Sequence, residues 1–187
     1  MSVLIVIPAR YASTRYPAKP LALLTGASGT ARSLIERSWR AACEVQGVDK
    51  VVVATDDDRI KDAAEAFGAE VVMTSVDCAN GTERCAEAHA VLGGGYDIVV
   101  NLQGDAPFTP PDYLTALIEA AAGTECDVVT PVVQLDWAAL DTVRDQKTRE
   151  PFSGTSCIRR ADGEALWFSK QVLPAIRKED ALRKTSK

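Results

Sequence analysis

The run Val3-Leu4-Ile5-Val6-Ile7 is continuous, apolar and mostly β-branched, and Pro8 follows it directly. A strand with one wet face alternates polar and apolar residues, so a run without alternation reads as a strand buried on both faces of a parallel sheet. Val51-Val52-Val53-Ala54-Thr55 repeats the pattern, and Asp97-Ile98-Val99-Val100-Asn101-Leu102 reads as the most central strand. Helical segments lie between. Ser33 and Glu36 have capping-box spacing for a helix reaching about Cys43, Ile60 to Phe67 is a helix stopped by Gly68, and Glu83 to Leu92 is a helix broken by Gly93-Gly94-Gly95. Glu70 to Thr74 is extended. This strand-helix-strand alternation predicts a parallel α/β sheet. Further on, Tyr113 to Ala122 is a predicted helix, Asp127 to Val133 a predicted strand, and Ile158 to Ser169 a hairpin turned at Asp162-Gly163. Thr25 to Thr30, with Gly26 and Gly29, reads as a flexible approach to the first helix, and the charged stretch Lys178 to Lys187 as a disordered tail.

At 187 residues the chain is long enough for one buried core, and a single domain over 1–187 is expected. No apolar run approaches the ~20 residues of a membrane-spanning helix, and the amino terminus lacks the basic, apolar and small-residue regions of a secretion signal. A cytoplasmic protein is expected. The five cysteines, Cys43, Cys78, Cys85, Cys126 and Cys157, are odd in number and contain no C-x-x-C pair, which argues against a disulfide framework and a zinc knuckle. A net charge of -5 offers nucleic acid no general attraction, so a polyanion would have to be met by a local cluster of cations. The favoured partner is a small phosphorylated ligand.

Such a cluster follows the first strand. Arg10, Arg15 and Lys19 lie in one loop punctuated by Pro8, Pro17 and Pro20, without an acidic residue between Pro8 and Leu21. Ligands of open α/β sheets bind at strand carboxyl ends, where a guanidinium grips two phosphate oxygens and an ammonium acts as a point charge. A solvated basic loop is the other reading. Two more polar clusters fall near element ends: Asn80-Gly81-Thr82-Glu83-Arg84 and Gln103-Gly104-Asp105. Asp105 is either a ligand for Mg²⁺, whose other positions would go to water and phosphate, or a helix cap or turn residue. Thr82 and Arg84 are either site residues or an ordinary helix start. His89, in an Ala-rich helical stretch, reads as packed or surface-exposed rather than catalytic, and Asp56 to Asp58 as a helix-capping acidic face. A G-x-G-x-x-G after the first strand and a G-x-x-x-x-G-K-[ST] are both missing, which weakens dehydrogenase and P-loop readings.

Ile7-Pro8-Ala9-Arg10-Tyr11-Ala12-Ser13-Thr14-Arg15-Tyr16-Pro17-Ala18-Lys19-Pro20-Leu21 closely resembles the signature of the 3-deoxy-manno-octulosonate cytidylyltransferases, the CMP-Kdo synthetases. Ala54-Thr55-Asp56-Asp57, Gly81-Thr82-Glu83-Arg84, Asn101-Leu102-Gln103-Gly104-Asp105 and Ala165-Leu166-Trp167-Phe168-Ser169-Lys170 resemble later motifs of that family, in the same order. The resemblance implies a doubly wound three-layer α/β/α fold of the nucleotide-diphospho-sugar transferase type, dimeric through a β-hairpin region. It implies transfer of CMP from CTP to the anomeric hydroxyl of 3-deoxy-manno-octulosonate (Kdo), with Mg²⁺ as cofactor and pyrophosphate as leaving group, for lipopolysaccharide biosynthesis. It assigns Ala9, Arg10, Arg15, Lys19, Gly81, Thr82 and Arg84 to the nucleotide, Gln103 to the sugar, Asp105 to the metal, and catalysis to Arg10, Lys19 and Asp105.

Three positions depart from the family pattern: Ala18 for Gly, Lys170 for Arg, and Ala106 where Glu follows the Gln-Gly-Asp triplet. The loss of a carboxylate at Ala106 raises the expectation of an altered or amino-substituted Kdo as acceptor; a cytidylyltransferase for a related sugar acid such as an acylneuraminate is the alternative enzyme. The family's later His-x-Gly-x-Tyr and Gly-Val-Asp-Thr-Pro-Glu-Asp patterns, the second with a further metal ligand, do not occur in these 187 residues. A nucleotide-binding module without turnover is therefore the alternative from another class.

Overall fold

Every residue of β1 (Val3–Ala9) is buried, as its unbroken apolar run requires of a strand covered on both faces. The computed structural model describes residues 1–12 and 16–185. Contacts divide the chain into two compact units, Met1–Val129 and Thr130–Lys187.

In the first unit β1 is followed by a short hairpin, β2 (Leu23–Thr25) with β3 (Ala31–Ser33), then by α1 (Leu34–Cys43) and β4 (Lys50–Thr55). Next come α2 (Asp58–Ala66), β5 (Glu70–Met73), α3 (Gly81–Val91), β6 (Ile98–Asn101) and α4 (Pro111–Ala122). Strands β5-β4-β1-β6 pair in that order, all in parallel. Alternation along β1 separates two cores. Ile5 and Ile7 pack with Ile35 of α1, Ile60 of α2 and Leu114 of α4, whereas Leu4 and Val6 pack with Cys85 and Ala88 of α3. Helices thus cover both faces, giving the expected three-layer α/β/α arrangement. The chain winds outward from β1 through β4 to β5, then returns across the sheet to lay β6 on the other side of β1. The strand order reverses at β1, which has β4 on one side and β6 on the other, the place where open α/β sheets hold ligands.

Local chemistry sets the helix starts. Ser33 accepts from the Glu36 amide at 3.2 Å and Asp57 from the Arg59 amide at 3.0 Å, so each caps its helix. Asn80 accepts from the Glu83 amide at 3.0 Å, while the Glu83 carboxylate takes the Ala79 amide and the Asn80 side chain. Gly68, at φ +94°, supplies the left-handed turn after α2.

The structure corrects several expectations. The segment expected to be most central forms β6 at an edge of the described sheet, with Val99 37% exposed; β1 and β4 occupy the interior. The apolar run gave no measure of burial here: with one partner strand among the described residues, no residue of β6 is fully buried. Asp127 to Val133 forms no strand among the described residues, and Val128, Val132 and Val133 are exposed. Thr25 to Thr30 is not a flexible approach but the turn of the β2–β3 hairpin, closed by Gly26 N–H to Thr30 O and Gly29 N–H to Gly26 O.

The second unit holds α5 (Trp137–Arg149), the antiparallel pair β7 (Ser156–Arg159) and β8 (Ala165–Ser169), and α6 (Glu179–Thr185). The hairpin turns at Asp162-Gly163 as expected, with Gly163 at φ +100°. Helix α5 has no expectation behind it, because it buries no residue and so carries no clear apolar stripe; Asp136 caps it by accepting from the Ala139 amide at 2.7 Å. The stretch read as a disordered tail contains α6. Its charge is ordered by pairing: Glu179 takes Arg144 and Arg183, and Arg183 reaches Asp141. The two guanidinium groups, Arg144 first, hold the Glu179 carboxyl down at about 2. No helix among the described residues is long and apolar enough to cross a membrane.

Candidate active site

Two adjoining cavities open at the switch point. The smaller, about 230 Å³, is lined by Cys78, Ala79, Asn80, Gly81 and Arg84 beside α3; the larger, about 400 Å³, by Tyr16, Lys19, Pro20, Gly104 and Asp105. Pro8, Ala9, Arg10 and Gln103 line both. Loops after β1 and β6 and the amino terminus of α3 thus converge, as the sequence predicts.

Ala9 is buried at the end of β1, and Arg10 projects from it as an exposed cation common to both cavities. Lys19 opens a 3₁₀ turn over Lys19–Leu21, and its ammonium donates to Asp105 Oδ2 at 2.5 Å. Both side chains are nearly half exposed, so a phosphate or a cation can compete for either partner. Arg15 lies outside the described residues.

Gly81 and Gly104 allow the walls to close up. A Cβ on Gly104 would stand 3.2 Å from the Pro8 carbonyl oxygen, and one on Gly81 would stand 3.2 Å from Pro8 Cγ and 3.3 Å from Gln103 Nε2. Gln103 donates to Asn101 Oδ1 at 2.8 Å, which orients its carboxamide. Thr82 does not line either cavity; its hydroxyl accepts from Asn101 Nδ2 at 3.5 Å. Arg84 lines the smaller cavity yet is buried, with its guanidinium donating to Asp56 Oδ2 at 3.0 Å and to Thr74 Oγ1. Its charge is thus paired inside the protein.

Sequence reading missed three supports. The acidic run splits by role: Asp57 caps α2, while Asp56 neutralises Arg84, a pairing between residues 28 apart that no local pattern announces. Buried Ser38 of α1 donates to the Gly104 carbonyl at 3.3 Å and so braces the loop carrying Asp105. Pro8, read only as a strand end, is the surface against which both glycines pack. Cys78 also faces the smaller cavity, where its thiol donates to Glu87 at 2.9 Å; that carboxylate pushes the thiol pKa up. His89 accepts from the Tyr96 amide and takes no part in either cavity.

A family model described as cytidylyltransferase matches residues 4–186. A 3-deoxy-manno-octulosonate cytidylyltransferase of Maricaulis maris is 47% identical over 96% of this chain and 68% of its own length. The chain belongs to the 3-deoxy-manno-octulosonate cytidylyltransferase family. A second member of that family, from Bacteroides thetaiotaomicron, is 40% identical over 96% of this chain and 67% of its own length. The solved CMP:2-keto-3-deoxy-manno-octonic acid synthetase complexed with CTP superposes with a TM-score of 0.77 at 31% identity, covering 96% of this chain and 68% of that one. The chain therefore spans about two thirds of the length of these cytidylyltransferases.

Proposed function

We propose that this chain is a CTP-dependent nucleotidyltransferase that transfers CMP to the anomeric hydroxyl of Kdo, giving CMP-Kdo and pyrophosphate. The observation that carries the reading is the pair of cavities with Arg10 and Gln103 on their common wall. One cavity suits a nucleoside and the other an acceptor, and a cation stands where the reacting phosphate would bridge them. In the reaction the anomeric oxygen forms a bond to the α-phosphorus, the bond to the bridging oxygen breaks, pyrophosphate leaves, and the hydroxyl proton is released.

The residues act chiefly by positioning and charge. Arg10, Lys19 and Arg15 would hold the triphosphate, and Arg10 and Lys19 would neutralise charge that builds on the departing pyrophosphate. The walls around Ala9, Gly81 and Arg84 would receive cytidine, with Thr82 next to Gly81 behind that wall. Because Arg84 is already paired with Asp56, its part would be to shape that wall and hold its charge in place. Gln103 would orient the sugar acid.

Asp105 fits a hard divalent cation. Its carboxylate is accessible at the mouth of the larger cavity, and the described residues assemble no group of three or more His, Cys, Asp and Glu side chains. An ion held there would take most of its ligands from phosphate and water, the habit of Mg²⁺. When bound it would neutralise phosphate charge.

Unit Thr130–Lys187 supports a homodimer. Leu166, Trp167 and Phe168 on β8 are 54%, 64% and 51% exposed, a run of large apolar groups on a two-stranded hairpin that is marginal without a partner. The family model's span over residues 4–186 favours one cytidylyltransferase domain; its place in the cytoplasm and in lipopolysaccharide synthesis follows from the family resemblance alone.

The test is pyrophosphate release from CTP, Mg²⁺ and Kdo, with a control lacking sugar and a panel including amino-Kdo and N-acetylneuraminate. Kdo-dependent release supports the reading. Preference for an amino-substituted acceptor would assign Ala106 a role in selectivity, and CTP binding without release on any acceptor would leave a nucleotide-binding module.

A further inference from the structure

We infer that Tyr11 and Arg59 are positioning residues for the phosphate-binding cations, with Arg59 clamping the base of the loop that separates Arg10 from Lys19. The inference rests on the reading of Arg10 and Lys19 as triphosphate ligands and adds a residue outside the loop that controls them.

Tyr11 is tied at three points. Its backbone follows Arg10 directly, its carbonyl accepts from the Ala18 amide at 3.0 Å, and its half-buried ring packs against the core beneath the sheet. Ala18 precedes Lys19 and takes a left-handed conformation, φ 56°, to make the return. The Tyr11–Ala18 bond is therefore the neck of the loop, with one candidate phosphate ligand on each side of it. Moving Tyr11 moves both cations.

Arg59 lies over the ring. Its guanidinium carbon stands 3.3 Å from the Tyr11 ring centroid, a stacking distance for a planar cation on an aromatic face. The guanidinium cannot drift freely, because Nε and Nη2 donate to the two oxygens of Asp57 at 2.9 and 2.6 Å. Asp57 in turn is held as the cap of α2. The chain of contacts runs from the end of β4 through Asp57 and Arg59 to Tyr11, and so couples the loop after β1 to the loop after the neighbouring strand. A lysine at this position would keep the charge but lose both the fork on Asp57 and the flat face on Tyr11.

This arrangement predicts an effect on nucleotide affinity greater than the effect on folding, since Arg59 is largely exposed and Ile60 beside it carries the core packing of α2. The experiment is calorimetric titration of CTP into the wild type and into Arg59→Ala, Arg59→Lys, Tyr11→Leu, Tyr11→Phe and the Arg59→Ala/Tyr11→Leu double variant, with thermal unfolding of each. The expected result is a rise in Kd for CTP of about 2- to 30-fold in Arg59→Ala and in Tyr11→Leu. The double variant should be no weaker than the weaker single one, Arg59→Lys should resemble Arg59→Ala, and Tyr11→Phe should recover the affinity lost in Tyr11→Leu. KM for the sugar should stay unchanged at saturating CTP. CTP binding by the wild type that Arg59→Ala leaves unaltered, or strictly additive losses in the double variant, would overturn the inference and leave the functional reading intact. Failure of the wild type itself to bind CTP would overturn that reading, and the inference with it.

Discussion

Lys19 Nζ donates to Asp105 Oδ2 at 2.5 Å, joining residues 86 positions apart at the mouth of the larger cavity. In the proposed reaction the two charges would satisfy one another until a nucleotide offered phosphate to the ammonium and left the carboxylate open to a cation. Asp105→Asn keeps the shape of that contact but removes the charge, so kcat should fall on the order of 10²- to 10³-fold while the circular dichroism spectrum is retained. Lys19→Met should act mainly through the nucleotide, raising KM for CTP more than KM for the sugar. Metal dependence in Asp105→Asn equal to that of the wild type would remove Asp105 from the site.

Gly104 and Gly81 should respond differently to a methyl group. At Gly104 the new Cβ meets the Pro8 carbonyl oxygen, which belongs to a central strand and cannot yield, so Gly104→Ala should cost about 1–3 kcal/mol in urea unfolding and shift the Asp105 loop. At Gly81 the obstructing atoms include the end of the Gln103 side chain, which can turn away. Gly81→Ala should therefore fold nearly normally and weaken both CTP, whose wall it narrows, and the acceptor, through the displaced Gln103. Equal stability of the two variants would contradict this assignment.

The pair between Arg84 and Asp56 is the most deeply buried ion pair among the described residues, with side chains 4% and 18% exposed. Asp56→Ala would leave the buried guanidinium charged with Thr74 as its remaining hydrogen-bond partner, a loss of about 3–5 kcal/mol. Arg84→Met, which removes the charge and retains the stem, should cost less. Chemical denaturation of both variants decides the order.

In the second unit, Glu179 has a folded value of about 2 against an ordinary 4.5, through Arg144 first and Arg183 next, and Asp141 is lowered chiefly by Arg183. Carboxyls depressed on folding contribute stability that is present above the unfolded value and lost as pH falls through the folded one. Docking of α6 on α5 should therefore weaken between about pH 4.5 and pH 2, and 1 M salt should weaken it at neutral pH. Carboxyl NMR would show Glu179 titrating near 2; titration near 4.5 with α6 intact would refute the network.

Much of the site was legible because its residues sit at strand ends, and strand ends are marked in sequence by where an apolar run stops. Arg10, Lys19, Gln103 and Asp105, in the loops after two such ends, were located this way and line adjoining cavities with Gly81, which the start of α3 marked. Their supports were hidden for a different reason. Ser38 lies in the middle of a helix, Arg59 in the first turn of another, and Asp56 in an acidic run, and each earns its part only from a partner that folding brings to it.

Residue pattern alone determined that β1 is buried on both faces, that helices begin at Ser33 and turn at Gly68, and that a cationic loop follows the first strand, because these depend on side-chain period and on local backbone chemistry. Tertiary structure decided what depends on distant pairing. It set β6 at an edge and not in the middle, left residues 127–133 unpaired among the described strands, and ordered α6 through ion pairs with α5. An apolar run records how much water a segment excludes. Which neighbours exclude that water is settled only when the chain has closed on itself.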